Sequence, residues 1–175
     1  MSRMVVHPLG WARVLRDRPV CIPKASSDTP ATRLGNKYEA QAHVEMTRRY
    51  GDRYQSGLWF QYADAVGTYY CQIDGLLDCG SHYVVVEMKY NHVLSAWMQM
   101  KHLYGPVVSK WSNRPVRYVE MVKWYDPATI ADRVQLLKDV ERARENKFNV
   151  HVWRPRGETR ELPSLGKLWT REAFT

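Results

Sequence analysis

Asp74 and the triplet Glu87-Met88-Lys89 have the residue types and the spacing that could support catalysis. Two carboxylates held side by side repel each other unless a cation lies between them, and ligands that are all oxygen suit Mg²⁺ or Mn²⁺. A metal there can neutralise a phosphate and lower the pKa of a bound water, and a neighbouring lysine can stabilise the developing negative charge. These residue types therefore favour metal-dependent cleavage of a phosphodiester bond.

A β-hairpin is predicted to bring these residues together. Gly80-Ser81 suits a two-residue type II′ turn, which pairs residues whose numbers add up to 80 + 81 = 161. Asp74 then faces Glu87 with about 5 Å between their Cβ atoms, and Lys89 emerges on the same face. The opposite face is apolar and is expected to pack on the core. Its predicted pairs are Leu77 with Val84, Gly75 with Val86 and Ile73 with Met88.

The same residues can also be explained as solvent-facing charges, because an Asp followed by Glu-x-Lys on two strands often occurs by chance. The apolar run 84–86 leads directly into Glu87. Such a run predicts a strand that is buried on both faces, where an unpaired surface charge is out of place. This context favours the functional interpretation. Asp78, by contrast, lies near the predicted turn and is assigned to turn formation.

The elements predicted around this hairpin follow the order α, β, β, β, α, β, α, β. A helix from about Asn36 to Tyr50 has an apolar stripe at four-residue spacing, and Gly51 is its predicted C-cap. Pro106 is expected to end the second helix, and Asp126 is expected to cap the third. The stripe comprises Leu34, Tyr38, Ala42 and Met46; the strands are 58–66, 69–78, 82–90, 115–125 and 147–153; the second helix is 93–104.

This order predicts an α/β (α+β) fold with a central mixed sheet flanked by helices. The 175 residues suffice for one domain with a sizeable core. Within a single domain of residues 1–175, the sequence predicts an irregular N-terminal extension over 1–33. A catalytic core over 34–125 follows, and 126–175 form a helix, a strand and a basic tail.

The composition is that of a globular protein with excess positive charge. Hydrophobic residues make up 45% of the chain, and no apolar run reaches the roughly 18 residues of a membrane span. Neither a membrane partner nor a secretory signal is expected, so the predicted location is the cytoplasm, of a host cell if the protein is viral. The net charge of +8 and the pI near 9.5 favour a polyanionic partner.

Cysteine and histidine give no alternative metal site in the sequence. The three cysteines include no C-x-x-C pair, and the histidines include no H-x-x-x-H pair. Of the seven tryptophans, Trp97, Trp111 and Trp124 are the ones expected to be exposed near a site.

Together, the motif and the order of elements resemble the PD-(D/E)-x-K nuclease superfamily. Its signature is an Asp on one strand and D/E-x-K on the next, which here read Ile73-Asp74 and Glu87-Met88-Lys89, with isoleucine in place of the family's proline. The resemblance covers residues 36–125, about half of the chain. It implies a restriction-endonuclease-like α-β-β-β-α-β core, an activity on DNA and Mg²⁺ or Mn²⁺ as cofactor.

The resemblance also implies a metal site formed by Asp74, Glu87, Met88 and Glu39, the last from the first helix. A competing interpretation makes Asn36 the N-cap of that helix and Glu39 the partner that completes a capping box.

Exonuclease-like members of the superfamily, of the lambda-exonuclease type, carry Gln-x-x-x-Tyr on the helix after the lysine. Here Gln99 and Tyr104 are one residue too far apart for that pattern. Gln99 is still predicted to face the site and to take part in catalysis. The residues predicted to contact DNA are Lys101, His102, Tyr104, Lys110 and Arg114.

The leading hypothesis is therefore an Mg²⁺-dependent deoxyribonuclease of recombination, repair or defence, of phage or mobile-element type. An endonuclease is favoured because the Gln/Tyr pattern is imperfect and no motor motif is present. A structure-selective endonuclease of this kind would act as a homodimer. The alternatives are a single-strand or end-dependent exonuclease, a non-catalytic DNA-binding protein that keeps the fold, and a phage protein that engages a host partner.

Overall fold

A six-stranded mixed sheet with helices on both faces organises the part of the chain that the computed structural model describes, namely residues 5, 8–23, 29–91, 94–124 and 148–155. The predicted fold class is confirmed. The strands are β1 (Trp11–Leu15), β2 (Tyr54–Ala63), β3 (Thr68–Asp78), β4 (Tyr83–Asn91), β5 (Val116–Trp124) and β6 (Phe148–Val152). The helices are α1 (Pro30–Tyr50), α2 (Leu94–Gln99) and α3 (Gly105–Ser112), with a 3-10 turn at Gly51–Arg53 and a π turn at Met100–Tyr104.

The strands lie in the sheet in their order along the chain. The first four pair antiparallel, whereas β5 runs parallel to both β4 and β6. The order helix, three strands, helix, strand from α1 to β5 is the predicted one. The helix predicted after Asp126 and the basic residues beyond 155 lie outside the described residues.

Two apolar layers cover the two faces of the sheet. The α1 layer lies between the sheet and α1, and the α3 layer lies between the sheet and the α2–α3 segment. Val84 and Val86 belong to the α1 layer and Val85 to the α3 layer, and all three are fully buried. The prediction that β4 is buried on both faces is confirmed. Among the helices described, none combines the length and the apolar character that a membrane span requires.

The N-terminal third of the chain differs from the prediction in two places. Strand β1 lies within residues 1–33, which were expected to be irregular, and it pairs with β2 along its whole length. Helix α1 begins at Pro30 rather than near Asn36, because Thr29 accepts a hydrogen bond from the helix N-terminus and proline needs no donor there. Asn36 is therefore not the N-cap. Glu39 lies inside the helix, so the capping-box interpretation is wrong.

The C-terminal end of α1 is the predicted one. Gly51 has φ 56°, and its N–H donates to the carbonyl of Thr47. The first residue of the predicted apolar stripe, Leu34, is 49% exposed, whereas its other three members are buried.

Pro106 does not end the second helix, and this prediction is wrong. It occupies the first turn of α3, where the missing N–H costs no helical hydrogen bond. The helical segment therefore continues from Leu94 through the π turn to Ser112.

The hairpin has the predicted register over the four pairs from Gly75 with Val86 to Asp78 with Tyr83. Gly80 has φ 78°, the left-handed conformation that the turn requires. The ladder between β3 and β4 ends at Gly75. This end of the ladder positions the candidate site.

Strand β3 turns over where its ladder with β4 ends. Ile73 packs in the α3 layer and Leu77 in the α1 layer, although residues of equal parity on a regular strand share a face. The predicted pairing of Ile73 with Met88 on one apolar face is therefore wrong. Two glycines accommodate the change: a Cβ at Gly75 would collide with the ring of Tyr54, and Gly57 on β2 has φ 62°.

Candidate active site

Asp74 lies at the point where β3 turns over. Its Oδ2 accepts a hydrogen bond of 2.8 Å from the backbone N–H of Met88 on β4. The carboxylate therefore takes the place of a strand partner and is held against β4 beside Glu87. Burial raises the pKa of Asp74, while the N–H of Met88 and the charge of Lys89 oppose that rise. The ladder ends at Gly75, so the predicted pair of Asp74 with Glu87 is not part of it, but the contact with Met88 still holds the Asp74 carboxylate next to Glu87.

Glu87 is the most unusual charged group of the site because only 2% of it is exposed. Its Oε1 accepts a hydrogen bond of 2.5 Å from Nζ of Lys89, but its buried Oε2 has no hydrogen-bond partner among the described residues. Burial, followed by the charge of Asp74, raises the pKa of Glu87 to about 8. A buried carboxylate oxygen without a partner is costly, and a cation is the group that offsets that cost best.

Lys89 contacts Glu87 and keeps part of its side chain, 32%, exposed. Burial alone lowers the pKa of Lys89, but the carboxylates of Glu87 and Asp74 outweigh burial, so the pKa lies above its ordinary value. The amine is therefore charged at neutral pH. It can attract a phosphate and stabilise negative charge, but it has no lone pair to act as a base.

The π turn brings Gln99 and Tyr104 together despite their spacing in the sequence. A π turn closes i to i+5, so two residues five positions apart lie on the same side of the helix. Gln99 Nε2 donates a hydrogen bond to Tyr104 Oη. Tyr104 is 4% exposed, and its pKa is raised by burial and then by the charges of Glu87 and Asp74. The charges of Glu87 and Asp74 therefore reach the hydroxyl of this pair.

Helix α1 approaches the site from the opposite side of the sheet. Glu39 Oε1 lies 3.3 Å from Nε2 of His43, and Nδ1 of His43 lies 2.7 Å from Oη of Tyr54. Burial raises the pKa of Tyr54, and the charges of Asp74 and Glu39 raise it further. The charges of Glu39 and Asp74 thus act on the same tyrosine, and a role of Glu39 in a metal site stays a prediction. The sequence analysis missed His43 and Tyr54, although the four-residue spacing of Glu39 and His43 on a helix was a signal for the first.

A further buried acid, Glu120, was also missed. It pairs with Glu87 in the parallel register of β4 and β5, it is fully buried, and its charge contributes to the raised pKa of Glu87. Since the register of two parallel strands is set by a distant connection, no local sequence pattern indicates this neighbour.

Among the described residues, no three His, Cys, Asp or Glu side chains converge into a metal site as they stand. Asp74 and Glu87 nevertheless fit a hard cation, because both offer carboxylate oxygens and Glu87 Oε2 lacks a partner. Mg²⁺ is commonly held by one or two carboxylates, with water and substrate phosphates completing its shell. Of Met88, only the backbone lies at the site, since its side chain is buried in the α1 layer.

The residues predicted to contact DNA are not gathered into one group. Nζ of Lys101 lies 5.0 Å from the ring centroid of Trp97, and the carbonyl of His102 accepts a hydrogen bond from the N–H of Val5. Lys110 is exposed on α3, whereas Tyr104 is buried.

Arg114 is held at the tip of the hairpin instead. It forms two hydrogen bonds to the carboxylate of Asp78, of 2.9 and 3.0 Å, and its guanidinium lies 3.8 Å from the ring centroid of Tyr83. Asp78 also accepts from the N–H of Gly80, so its predicted role in the turn is confirmed.

Two of the three tryptophans that were predicted to be exposed are packed against the core instead. Trp111 packs edge-on against Phe60, and Trp97 packs against the α3 layer. Trp11 on β1 is instead 42% exposed. The side chain of Trp124 lies outside the described residues.

No family model matches the sequence, and neither a curated protein nor a solved structure shows significant similarity to it. The roles of the residues above therefore rest on their geometry and chemistry alone.

Proposed function

We propose that the chain is a Mg²⁺- or Mn²⁺-dependent deoxyribonuclease, favoured as an endonuclease, with Asp74, Glu87 and Lys89 as its reaction centre. One observation carries this proposal: Glu87 Oε2 is buried without a hydrogen-bond partner beside a second carboxylate. Within a protein, such an arrangement is unfavourable unless a proton or a cation neutralises it. A lysine that is charged at neutral pH on the same carboxylate supplies a contact for a phosphate.

The roles of the side chains follow from their contacts. Asp74 and Glu87 would hold the metal, which when bound supplies charge neutralisation and an activated water. Asp74 is oriented for this by the N–H of Met88. Lys89 would contact the scissile phosphate and stabilise the charge that develops on it. Glu39 reaches the same region from α1 and would contact the metal through water.

A second candidate, an end-dependent exonuclease, is favoured by the Gln99–Tyr104 pair. The endonuclease was preferred partly because this pair is one residue too far apart for the exonuclease pattern. The π turn removes that objection, since it places the two side chains in hydrogen-bond contact beside the carboxylates. The two candidates share one reaction centre and differ in the substrate that they accept.

The experiment is a cleavage assay on linear duplex, nicked duplex, single-stranded, covalently closed circular and four-way DNA. Each substrate is incubated with Mg²⁺, Mn²⁺ or EDTA. We expect cleavage of at least one substrate with metal and none with EDTA. Cutting of closed circles identifies an endonuclease, whereas release of mononucleotides from ends alone identifies an exonuclease.

Variants at the centre and a matched control complete the experiment. Glu87→Gln is compared with Glu45→Gln, because Glu45 is paired with Arg48 and Arg49 on α1. The first should lose cleavage and the second should retain it. The absence of cleavage of every substrate with either metal would leave a non-catalytic DNA-binding protein as the better explanation.

A further inference from the structure

Helix α1 packs on the Tyr54 end of β2 and the Leu77 end of β3. Farther along these strands and on β1, the face turned away from the α3 layer carries the exposed residues Trp11, Arg13 and Gln72. Val14, Phe60 and Cys71 point from these strands into the α3 layer, so the residues that alternate with them point to the other side. Pairing places these alternate residues in cross-strand rows. We call this surface the platform, and its main residues are Trp11, Arg13, Trp59, Gln61, Tyr70 and Gln72.

Three aromatic side chains of the platform are at least partly exposed to solvent. Trp11 is 42% exposed, and Trp59 and Tyr70 are half-buried. Trp11 and Trp59 lie two rows and one strand apart, which corresponds to about 14 Å for regular strands. They are too far apart to shield each other from water, so each ring offers a separate surface for stacking.

Arginine side chains stand beside these rings without carboxylate partners. The guanidinium of Arg13 lies 5.7 Å from the ring centroid of Trp11 and donates to Gln61 Oε1 at 2.8 Å. The guanidinium of Arg18 lies 5.7 Å from the ring centroid of Trp59 and donates to the backbone carbonyls of Ile22 and Pro23, which leaves Nη1 for a phosphate. Neither arginine forms an ion pair with an acidic residue of the described chain. Residues 11–18 contain three arginines and one aspartate, a net charge of 3 − 1 = +2.

We propose that the platform binds single-stranded DNA, with bases stacked on Trp11 and Trp59 and phosphates contacted by Arg13 and Arg18. Exposed aromatic rings recognise unpaired bases because a duplex hides the faces of its bases, and arginine supplies the complementary charge. The choice of DNA rests on the proposed nuclease function. Gln72 lies two residues from Asp74, about 7 Å along β3, so the platform ends next to the point where β3 turns over.

The test measures binding in EDTA, so it does not depend on cleavage. Fluorescence anisotropy of a labelled 20-nucleotide oligothymidine is followed for the full chain and its variants. Trp11→Ala should raise the Kd about fivefold or more, the loss of one stacked base, and Trp11→Phe should restore most of the affinity. Arg13→Ala should lower the slope of log Kd against log salt by about one.

Arg117→Ala is the matched control, because Arg117 is also exposed on a strand but lies on β5, away from the platform. Its salt slope should equal that of the parent chain. Melting temperatures of all variants confirm that they are folded. Labelled duplex of the same length should bind more weakly than the single strand, and its binding should not respond to Trp11→Ala.

Three results would overturn the proposal. One is an unchanged Kd in the double variant Trp11→Ala/Arg13→Ala, and another is an equal loss of duplex binding. The third is tighter binding of a single-stranded RNA of matched sequence. If sedimentation shows that the double variant loses self-association rather than DNA binding, the platform is an interface between copies.

The outcomes also separate this proposal from the proposed function. Binding that depends on Trp11 without any cleavage supports the platform and rejects the nuclease. Metal-dependent cleavage with single-strand binding unaffected by Trp11→Ala supports the nuclease and rejects the platform.

Discussion

The two ends of the β3–β4 hairpin place acidic residues in opposite electrostatic environments. At the tip, Asp78 accepts hydrogen bonds from Arg114 and from the N–H of Gly80, and these contacts lower its pKa to about 2. At the other end, burial and Asp74 raise the pKa of Glu87 to about 8. The protein itself supplies all that Asp78 needs. Among the described residues Glu87 Oε2 has no such partner, which is the difference between a structural acid and a candidate ligand.

The largest expected effect tests this comparison at the incomplete end. Glu87→Gln and Asp74→Asn should each lower the rate of metal-dependent cleavage at least about 1,000-fold, equivalent to roughly 4 kcal/mol of transition-state stabilisation. In EDTA, Glu87→Gln should instead raise the free energy of unfolding, because it removes a buried carboxyl group whose Oε2 lacks a hydrogen-bond partner. Cleavage rates and urea denaturation measure the two effects. Equal activity of Glu87→Gln and the parent chain would contradict the assignment of the site.

The next largest effect is a dependence of the melting temperature on pH and on bound metal. Since folding raises the pKa of Glu87 from its ordinary 4.5 to about 8, the native state keeps a proton that the unfolded state has lost. In EDTA, stability contributed by this group is complete below about pH 4.5 and is lost as pH rises through 8. We expect the melting temperature to fall by several °C between pH 5 and 8.

Mg²⁺ or Mn²⁺ should flatten this dependence, because the bound cation replaces the proton. Glu87→Gln should flatten it without metal. Differential scanning calorimetry at fixed ionic strength, with buffers matched for metal binding, provides the measurement. If the melting temperature in EDTA instead rises from pH 5 to 8 by the same amount in the parent chain and in Glu87→Gln, the raised pKa of Glu87 would be rejected.

The hairpin was predictable from the sequence because its determinants are local. Gly80-Ser81 sets the turn, and the apolar run 84–86 sets the buried strand; both fix the register of the four pairs that the structure contains. The extent of the ladder was not predictable, since Tyr54 and Gly57 lie on another strand.

The same distinction explains the other differences. The start of α1 is the exception, because its signals, Thr29 as N-cap and Pro30 in the first turn, are local and Asn36 offers a competing cap. The π turn was invisible because a pattern of apolar residues does not distinguish i+4 from i+5 over one turn. Glu120 depends on a parallel register, which no local signal encodes.

A smaller effect is expected at the Gln99–Tyr104 pair. Tyr104→Phe removes the hydroxyl that accepts from Gln99 but keeps the buried ring, so the cleavage rate should fall about tenfold, as for the loss of one positioning hydrogen bond. Metal affinity should be unchanged. If the chain is an exonuclease, the defect should appear in kcat on DNA ends, and Gln99→Ala should cause a similar loss that is not additive with it.

Deleting one residue of the π turn tests whether the alignment of Gln99 with Tyr104 is sufficient or the π turn itself is required. Deletion of Lys101 converts the spacing to Gln-x-x-x-Tyr, which an ordinary α-helix aligns. Activity close to that of the parent chain would show that the alignment matters and the extra residue does not. Loss of activity beyond that of Tyr104→Phe, in a folded variant, would assign the π turn itself a role.

The smallest effect is expected at the self-sufficient end of the hairpin. Asp78→Asn weakens the contact with Arg114, and since 38% of the Asp78 side chain is exposed, solvent screening limits the loss of stability to about 1 kcal/mol or less. Because folding lowers the pKa of Asp78 to about 2, its contribution is present above about pH 4 and disappears as pH falls toward 2. The cleavage rate should stay within twofold of the parent chain, measured at neutral pH. The two ends of the hairpin would then differ in kind. Asp78 would affect stability alone, through a contribution that acid removes and metal leaves unchanged, whereas Glu87 would affect catalysis and respond to metal. A fall in cleavage for Asp78→Asn as large as that for Glu87→Gln would mean that the hairpin acts as one unit, and the distinction between its two acids would be lost.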